Sequence, residues 1–240
     1  MVHRYVLFPL IFFLLVLLLI VLGMDYKSRN VTEAAGGYEK NFKNETLKTE
    51  DKEALEHRIK HLKSVLDTLE KPRVRMPYYG EIIRVYVQLE QYDKAGRVAL
   101  KRARLSEQAS DWKESGDYFF EAATRTDSED FRKDTARKAK SMYITALEIK
   151  PGDPEIKTDL AVVYMSLLEP EESFLLLENV LMNNPDHIRA NFNMGVLMLQ
   201  IGRASEAIPF FEHARDRSVH TEWEESIRTY LDVHHHDIYH

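Results

Sequence analysis

No cysteine occurs among the 240 residues, which excludes disulfides, thiol nucleophiles, thiolate metal sites and lipid attachment through sulfur. Glycine and proline are scarce, at nine and eight, and a chain so poor in turn residues but rich in Leu, Ala, Glu and Lys is built mainly of helices. Basic charge is not in excess either. The net charge of −6 runs against the basic balance of a general nucleic-acid binder, so no nucleic-acid partner is expected. Also missing are a glycine-rich phosphate loop, a nucleophile elbow, a paired-histidine metalloprotease motif and a calcium loop. Their joint absence argues against an enzyme, and no cofactor is expected.

What is present begins with a long apolar run. Tyr5 to Gly23 carries no charge and supplies about 19 residues, or roughly 28 Å of helix, enough to span a bilayer. Val21 and Gly23 make a poor cleavage site, so residues 1–24 read as an uncleaved transmembrane anchor, with a cleaved signal peptide as the rival. Arg4 precedes the run while Lys27 and Arg29 follow it, a nearly tied charge vote. With so short a leading segment, the expected topology puts the amino terminus in the cytoplasm and the remainder outside. That is the arrangement of a single-pass bacterial inner-membrane protein facing the periplasm. Asn30-Val-Thr32 and Asn44-Glu-Thr46 match the glycosylation acceptor pattern, which has meaning only in a eukaryotic secretory setting.

Residues 25–51 are polar, contain Gly36-Gly37 and read as a flexible tether. From there Leu55, Ile59, Leu62, Leu66 and Leu69 alternate spacings of four and three up to Pro72, the pattern of a coiled-coil seam. Residues 52–72 therefore form either an amphipathic helix docked on the neighbouring helical unit or a zipper that makes a homodimer through residues 52–71.

The strongest regularity lies in residues 154–218. Leu160, Ala161 and Tyr164 recur 34 positions on as Met194, Gly195 and Met198, and Ser173, Leu177 and Val180 recur as Ala207, Phe211 and Ala214. The same offset backward takes Pro185 to Pro151, Leu177 to Tyr143 and Ser173 to Ala139. Small residues let paired helices approach, large ones fill the groove, and proline punctuates each unit. This pattern resembles the tetratricopeptide repeat family. The fold expected is all-α: a solenoid of about four helical hairpins with a carboxy-terminal capping helix, preceded by the anchor and the amphipathic helix. The repeats cover about residues 76–108, 109–153, 154–187 and 188–219 within a domain of residues 73–240, and residues 220–233 form the cap, with Trp223, Ile227, Tyr230 and Leu231 as its apolar stripe.

The first unit reads as starting at Pro77, with Tyr79, Ile82, Ile83 and Tyr86 inward and Asp93 as the cap of its second helix. The second opens with Trp112, Gly116 and Phe119, but its second helix arrives eleven residues late, close to three whole turns. Thr126-Asp-Ser-Glu129 reads as a capping box that starts this helix near Asp127 and runs it to about Ile149, with Phe131 and Ala136 on its apolar stripe. The pair is expected to project and to expose Arg132, Lys133, Asp134, Arg137 and Lys138 at one edge. Arg97, Lys101, Arg102 and Arg104 read as a solvated helix face. Glu169, Glu171 and Glu172, like Glu222, Glu224 and Glu225, sit where helices start and negative charge is favoured.

The resemblance implies that the first helices of successive units line a concave groove for an extended peptide or a partner's helix. The groove positions are then Arg84, Val87 and Gln88; Lys113, Asp117, Phe120 and Glu121; Glu155, Thr158, Val162, Met165 and Ser166; and Arg189, Phe192, Asn193, Val196, Leu199 and Gln200. Phe192 and Met165 are the positions at which introduced charge is expected to abolish capture. Where relatives that clamp the terminal carboxylate of chaperones carry lysines and asparagines, this sequence has Gly80, Arg84 and Asp159. The function expected is that of a non-catalytic, membrane-tethered scaffold or adaptor for a protein partner within a membrane-associated complex. Two alternatives stand beside it: an assembly factor or chaperone for exported or membrane proteins, and a metal-binding accessory protein using His234, His235, His236 and His240.

Overall fold

The structure is a computed structural model that describes residues 52–239. The apolar run 5–23, the tether 25–51, the acceptor patterns at Asn30 and Asn44, and His240 lie outside the described residues. Within those described, no helix is long and apolar enough to cross a membrane. Among the described residues all regular structure is helical: α1 (Lys52–Thr68), α2 (Pro72–Gln88), α3 (Tyr92–Ser106), α4 (Ala109–Thr124), α5 (Glu129–Ile149), α6 (Pro154–Ser166), α7 (Pro170–Asn183), α8 (Ile188–Gln200), α9 (Ala204–Ser218), α10 (Glu224–Val233) and α11 (His235–Tyr239). Each helix packs on the next, and α6 also touches α8. The result is four stacked hairpins, α2–α3, α4–α5, α6–α7 and α8–α9, whose first helices share one face.

The hairpins close because small residues meet rings. A Cβ added at Gly195 of α8 would stand 2.7 Å from the Phe211 ring of α9, and one at Gly116 of α4 would stand 3.0 Å from Tyr143 of α5. Ala139, Ser173 and Ala207, which share one register position, are each completely buried. Three of the four turns are alike. Glu90, Leu168 and Gly202 take left-handed φ values of 55°, 60° and 79°. The next residue's N–H then reaches back to a helix carbonyl, Gln91 to Tyr86 at 2.9 Å, Glu169 to Tyr164 at 2.9 Å and Arg203 to Met198 at 2.8 Å. That is the closure of a Schellman motif.

The second hairpin differs. Helices α4 and α5 have 16 and 21 residues against 13 and 14 for α6 and α7. The cap of α5 is Ser128, whose Oγ accepts the Phe131 N–H at 3.4 Å, and not Thr126, whose Oγ1 accepts the Ser128 N–H at 3.2 Å. Thr126 thus turns the chain one step before the helix starts. Ala136 is buried as expected, but Phe131 is 36% exposed, because the added length leaves the first turns of α5 with too few neighbours to cover them.

Other boundaries also move. Helix α2 begins at Pro72 and contains Pro77, so the earlier proline starts this helix where the sequence pattern ended the preceding one. Proline at the first helical position suits both readings, since its missing N–H has no intrahelical partner there. Gln91, not Asp93, occupies the N-cap of α3, and Asp93 pairs with Arg97 one turn on. The seam of α1 is used within the chain: Leu55, Ile59 and Leu66 are buried with Tyr79, Ile82, Ile83 and Tyr86. Arg58 pairs with Glu81 at 3.2 Å, and Lys63 Nζ donates to Tyr86 Oη at 2.8 Å. This leaves no free apolar seam for a zipper through residues 52–71. At the other end α10 buries Ile227 and Leu231, and Ile238 of α11 joins the same core.

Candidate partner-binding face

The face shared by α2, α4, α6 and α8 changes character along the array. On α2, Arg84 is exposed and pairs with Glu81 one turn back. Gln88 is exposed and borders a shallow open depression with Lys52, Leu55, Leu89, Glu90 and Gln91. On α4, Lys113, Asp117 and Phe120 are partly exposed, and Glu121 turns aside to pair with Arg125.

From α4 onward an ion ladder crosses the helices. Lys113 Nζ lies 2.9 Å from Asp117 Oδ1 and 2.7 Å from Asp159 Oδ2 of α6. Asp159 also pairs with Arg189 of α8, and Arg189 reaches Glu155 Oε2 at 2.6 Å. His187 Nδ1 accepts the Ala190 N–H at 3.1 Å, which leaves Nε2 to donate to Glu155 Oε1 at 3.1 Å. Tyr143 of α5 donates its hydroxyl to Asp117 Oδ1 at 2.7 Å.

The charges on this face are therefore already partnered. Burial works against the Lys113 ammonium, yet Asp159 and Asp117 outweigh it and raise its pKa. The hydrogen bond from His187, joined by the Arg189 charge, holds the Glu155 carboxyl down to about 2 despite partial burial. Burial, reinforced by Asp117, pushes the Tyr143 hydroxyl well above its ordinary range.

Toward the carboxy terminus the expected groove positions become core. Thr158, Val162 and Met165 of α6 and Phe192, Asn193 and Val196 of α8 are all buried. Met165, Phe192 and Val196 share one cluster with Phe211, Ile227, Leu231 and Ile238. The end of the chain supplies part of this cover: Tyr230 meets the Phe192 ring edge-on at 4.9 Å, and the Trp223 ring lies 5.3 Å from the Arg189 guanidinium. Charge introduced at Phe192 or Met165 would break the core, so those two positions do not report on capture. Gln200 donates to the Met165 carbonyl at 3.1 Å, and Ser166 bonds the Val163 carbonyl at 2.7 Å.

The projecting edge is partly tied down. Arg132 is held by Glu129 and by the Thr126 carbonyl. Lys133 also pairs with Glu129, Lys138 pairs with Asp134, and Arg137 stands exposed. Arg102 leaves the solvated set, because it bridges from α3 to Asp111 at 2.8 Å and to Glu114 of α4. At the carboxy terminus the His234 ring stacks on Tyr230 at 4.4 Å, and His235 and His236 are exposed. Among the described residues no three ligating side chains converge to hold a metal ion.

His187, Trp223 and Tyr230 complete this face, although the repeat register does not assign them to it, and Asp159, which the register places with Gly80 and Arg84, joins them. One signal in the sequence points there: Glu155 and Arg189 stand 34 positions apart, and opposite charges at equivalent positions of stacked units imply a bridge between them.

Four stacked hairpins sharing a first-helix face, with a glycine closed on a ring in the second and the fourth, define a tetratricopeptide-like solenoid. The solved structures it is similar to include TTC0263, a thermophilic TPR protein of Thermus thermophilus, at 14% identity and a TM-score of 0.55, over 75% of this chain and 89% of that one. Two crystal structures of MamA are also similar, at 18% and 16% identity and a TM-score of 0.52 each, covering 70% and 80% of this chain and 90% and 92% of theirs. At such identities the likeness is one of fold. No protein-family model matches the chain, and no curated protein matches it.

Proposed function

We propose that this chain is a non-catalytic, membrane-tethered adaptor that holds a protein partner on the open, amino-terminal part of its first-helix face, with the edge of α5 as a second contact. The observation that carries this reading is the polarity of the face: Arg84 and Gln88 are solvent-exposed on α2, while the equivalent surface of α8 is closed by the chain's own end. A repeat array offers preformed surface at little ordering cost. The apolar run 5–23 supports a tether, which confines that surface to a membrane and raises its effective concentration for partners there. In this reading the repeats lie on the periplasmic side of a bacterial inner membrane.

A photoreactive residue at position 88 of the full chain, activated in native membranes, tests the proposal. One adduct of defined mass, lost when Arg84 is changed to Glu, is the expected result. Many adducts of unfolded clients would favour the assembly-factor alternative, and no adduct would remove this face as the site.

A further inference from the structure

Helix α7 turns Ser173, Leu177 and Val180 into the core. At about 100° per residue, Glu171, Leu175, Glu178 and Met182 then fall on one ridge directly opposite. Leu175 is 63% exposed and Met182 is 77% exposed. At the head of the ridge Leu168 is 51% exposed with a φ of 60°, at the same turn position where the next unit has Gly202. Left-handed backbone suits glycine and strains leucine. The chain therefore keeps at this point an apolar side chain that neither the turn nor the core requires.

The ridge is also acidic. Helix α7 contains no Lys or Arg, and it carries Glu171, Glu172 and Glu178 on exposed positions. Two cations reach this stretch from neighbouring helices, Lys140 to the N-cap residue Glu169 and Lys157 to Asn179 of α7 itself at 2.6 Å, and each engages a partner other than Glu171, Glu172 or Glu178. The imbalance is wider than one helix: residues 151–240 have 6 Lys and Arg against 16 Asp and Glu, whereas residues 52–150 have 21 against 17.

We propose that the α7 ridge docks a basic amphipathic helix of a partner protein, which lays apolar side chains on Leu168, Leu175 and Met182 and lysines or arginines against Glu171, Glu172 and Glu178. The helical part of the ridge, residues 171 to 182, covers about 17 Å, the length of roughly three turns of such a helix, and Leu168 stands in the turn before it. An anionic lipid surface is disfavoured by like charge. A second copy of this chain fits less well. The basic face of α3, Lys94, Arg97, Lys101 and Arg104, is accompanied by a single exposed apolar residue, Leu105, and on the basic edge of α5, which also exposes Phe131 and Ile144, Arg132, Lys133 and Lys138 are already paired with Glu129 and Asp134. The ridge lies apart from the first-helix face, so it stands whether or not that face binds anything.

The test uses the full chain in nanodiscs of zwitterionic lipid, with empty nanodiscs as the blank. The probe is a fluorescein-labelled, helix-stapled peptide of about 16 residues, with leucines on one face and lysines flanking them. Fluorescence anisotropy should show saturable binding that weakens at least about tenfold in Leu175→Ser/Met182→Ser and in Glu171→Lys/Glu178→Lys. Glu212→Lys on α9 should leave it unchanged. All four ridge positions are exposed, and unchanged circular dichroism would verify that the variants fold. Three results would each overturn the proposal: affinity within about threefold of the parent in both ridge variants, equal binding of a peptide with glutamate in place of lysine, or self-association that disappears in Leu175→Ser/Met182→Ser, which would assign the ridge to a second copy.

Discussion

At one equivalent position of the four first helices stand Arg84, Asp117, Val162 and Val196. The first is exposed, the second partly exposed, and the two valines are 4% and 1% exposed. The same backbone position thus carries charge where water or a partner can reach it and an aliphatic side chain where the next element covers it. A repeat keeps its hairpin but not the solvent its outer surface meets. That surface is decided by what stacks beyond, which on α8 includes Tyr230.

The two halves should respond differently to the same kinds of change. Phe211→Ala removes the ring that meets Gly195 and lies 5.7 Å from Phe192 and 5.9 Å from Tyr230. It should destabilise the closed half by about 3–5 kcal/mol in denaturant unfolding, with faster amide exchange across α8 to α10. In the open half, Arg84→Ala should change stability by no more than about 0.5 kcal/mol. An Arg84 effect as large as that of Phe211 would erase the distinction.

Asp159→Asn strikes where the halves join, since Asp159 serves both Lys113 and Arg189. A loss of about 2–3 kcal/mol is expected by the same measurement, because two largely buried cations lose their shared anion. Next comes one substitution made twice. Gly195→Ala should cost about 1–2 kcal/mol through contact with Phe211. Gly80→Ala should stabilise by about 0.5–1 kcal/mol, because the nearest atom to an added Cβ is 4.0 Å away on Arg102 and alanine is the better helix former. Equal signs for the two would contradict the comparison.

The smallest effect is in pH. Glu155 has a depressed folded-state pKa of about 2, so its contribution is fully present above its unfolded value of about 4.3. It is lost as pH falls from there through about 2. Glu155→Gln should flatten that part of the melting-temperature profile. The change is modest, since a half-exposed carboxylate is screened by solvent.

The hairpins were legible in the amino-acid pattern because their packing is local. Gly195 and Phe211 lie 16 positions apart and meet inside one unit, so the 34-residue register reports their contact directly. The candidate face was legible only in part. Register placed Arg84, Gln88 and Lys113 correctly on the first helices, but whether Phe192 or Met165 is open depends on neighbouring units and on the chain's end, which periodicity does not encode. The prolines misled for a related reason: Pro72 and Pro77 look alike in sequence, and only the packing of Tyr79 and Ile82 beneath α1 shows that the helix runs through the second of them.

The run from Lys113 through Asp159 and Arg189 to Glu155 gives this coil a mechanical property. Three successive units are clasped on one side by alternating charges, so unbending the array must separate several ion pairs at once, while motion that keeps the face closed disturbs none. The coil should be stiffer in one direction than in the other. Because these pairs are in direct contact and Lys113, Asp159 and Arg189 are largely buried, salt screens them far less than it screens exposed charges, so that directional stiffness should persist at high ionic strength and hold the span available to a bound partner nearly constant.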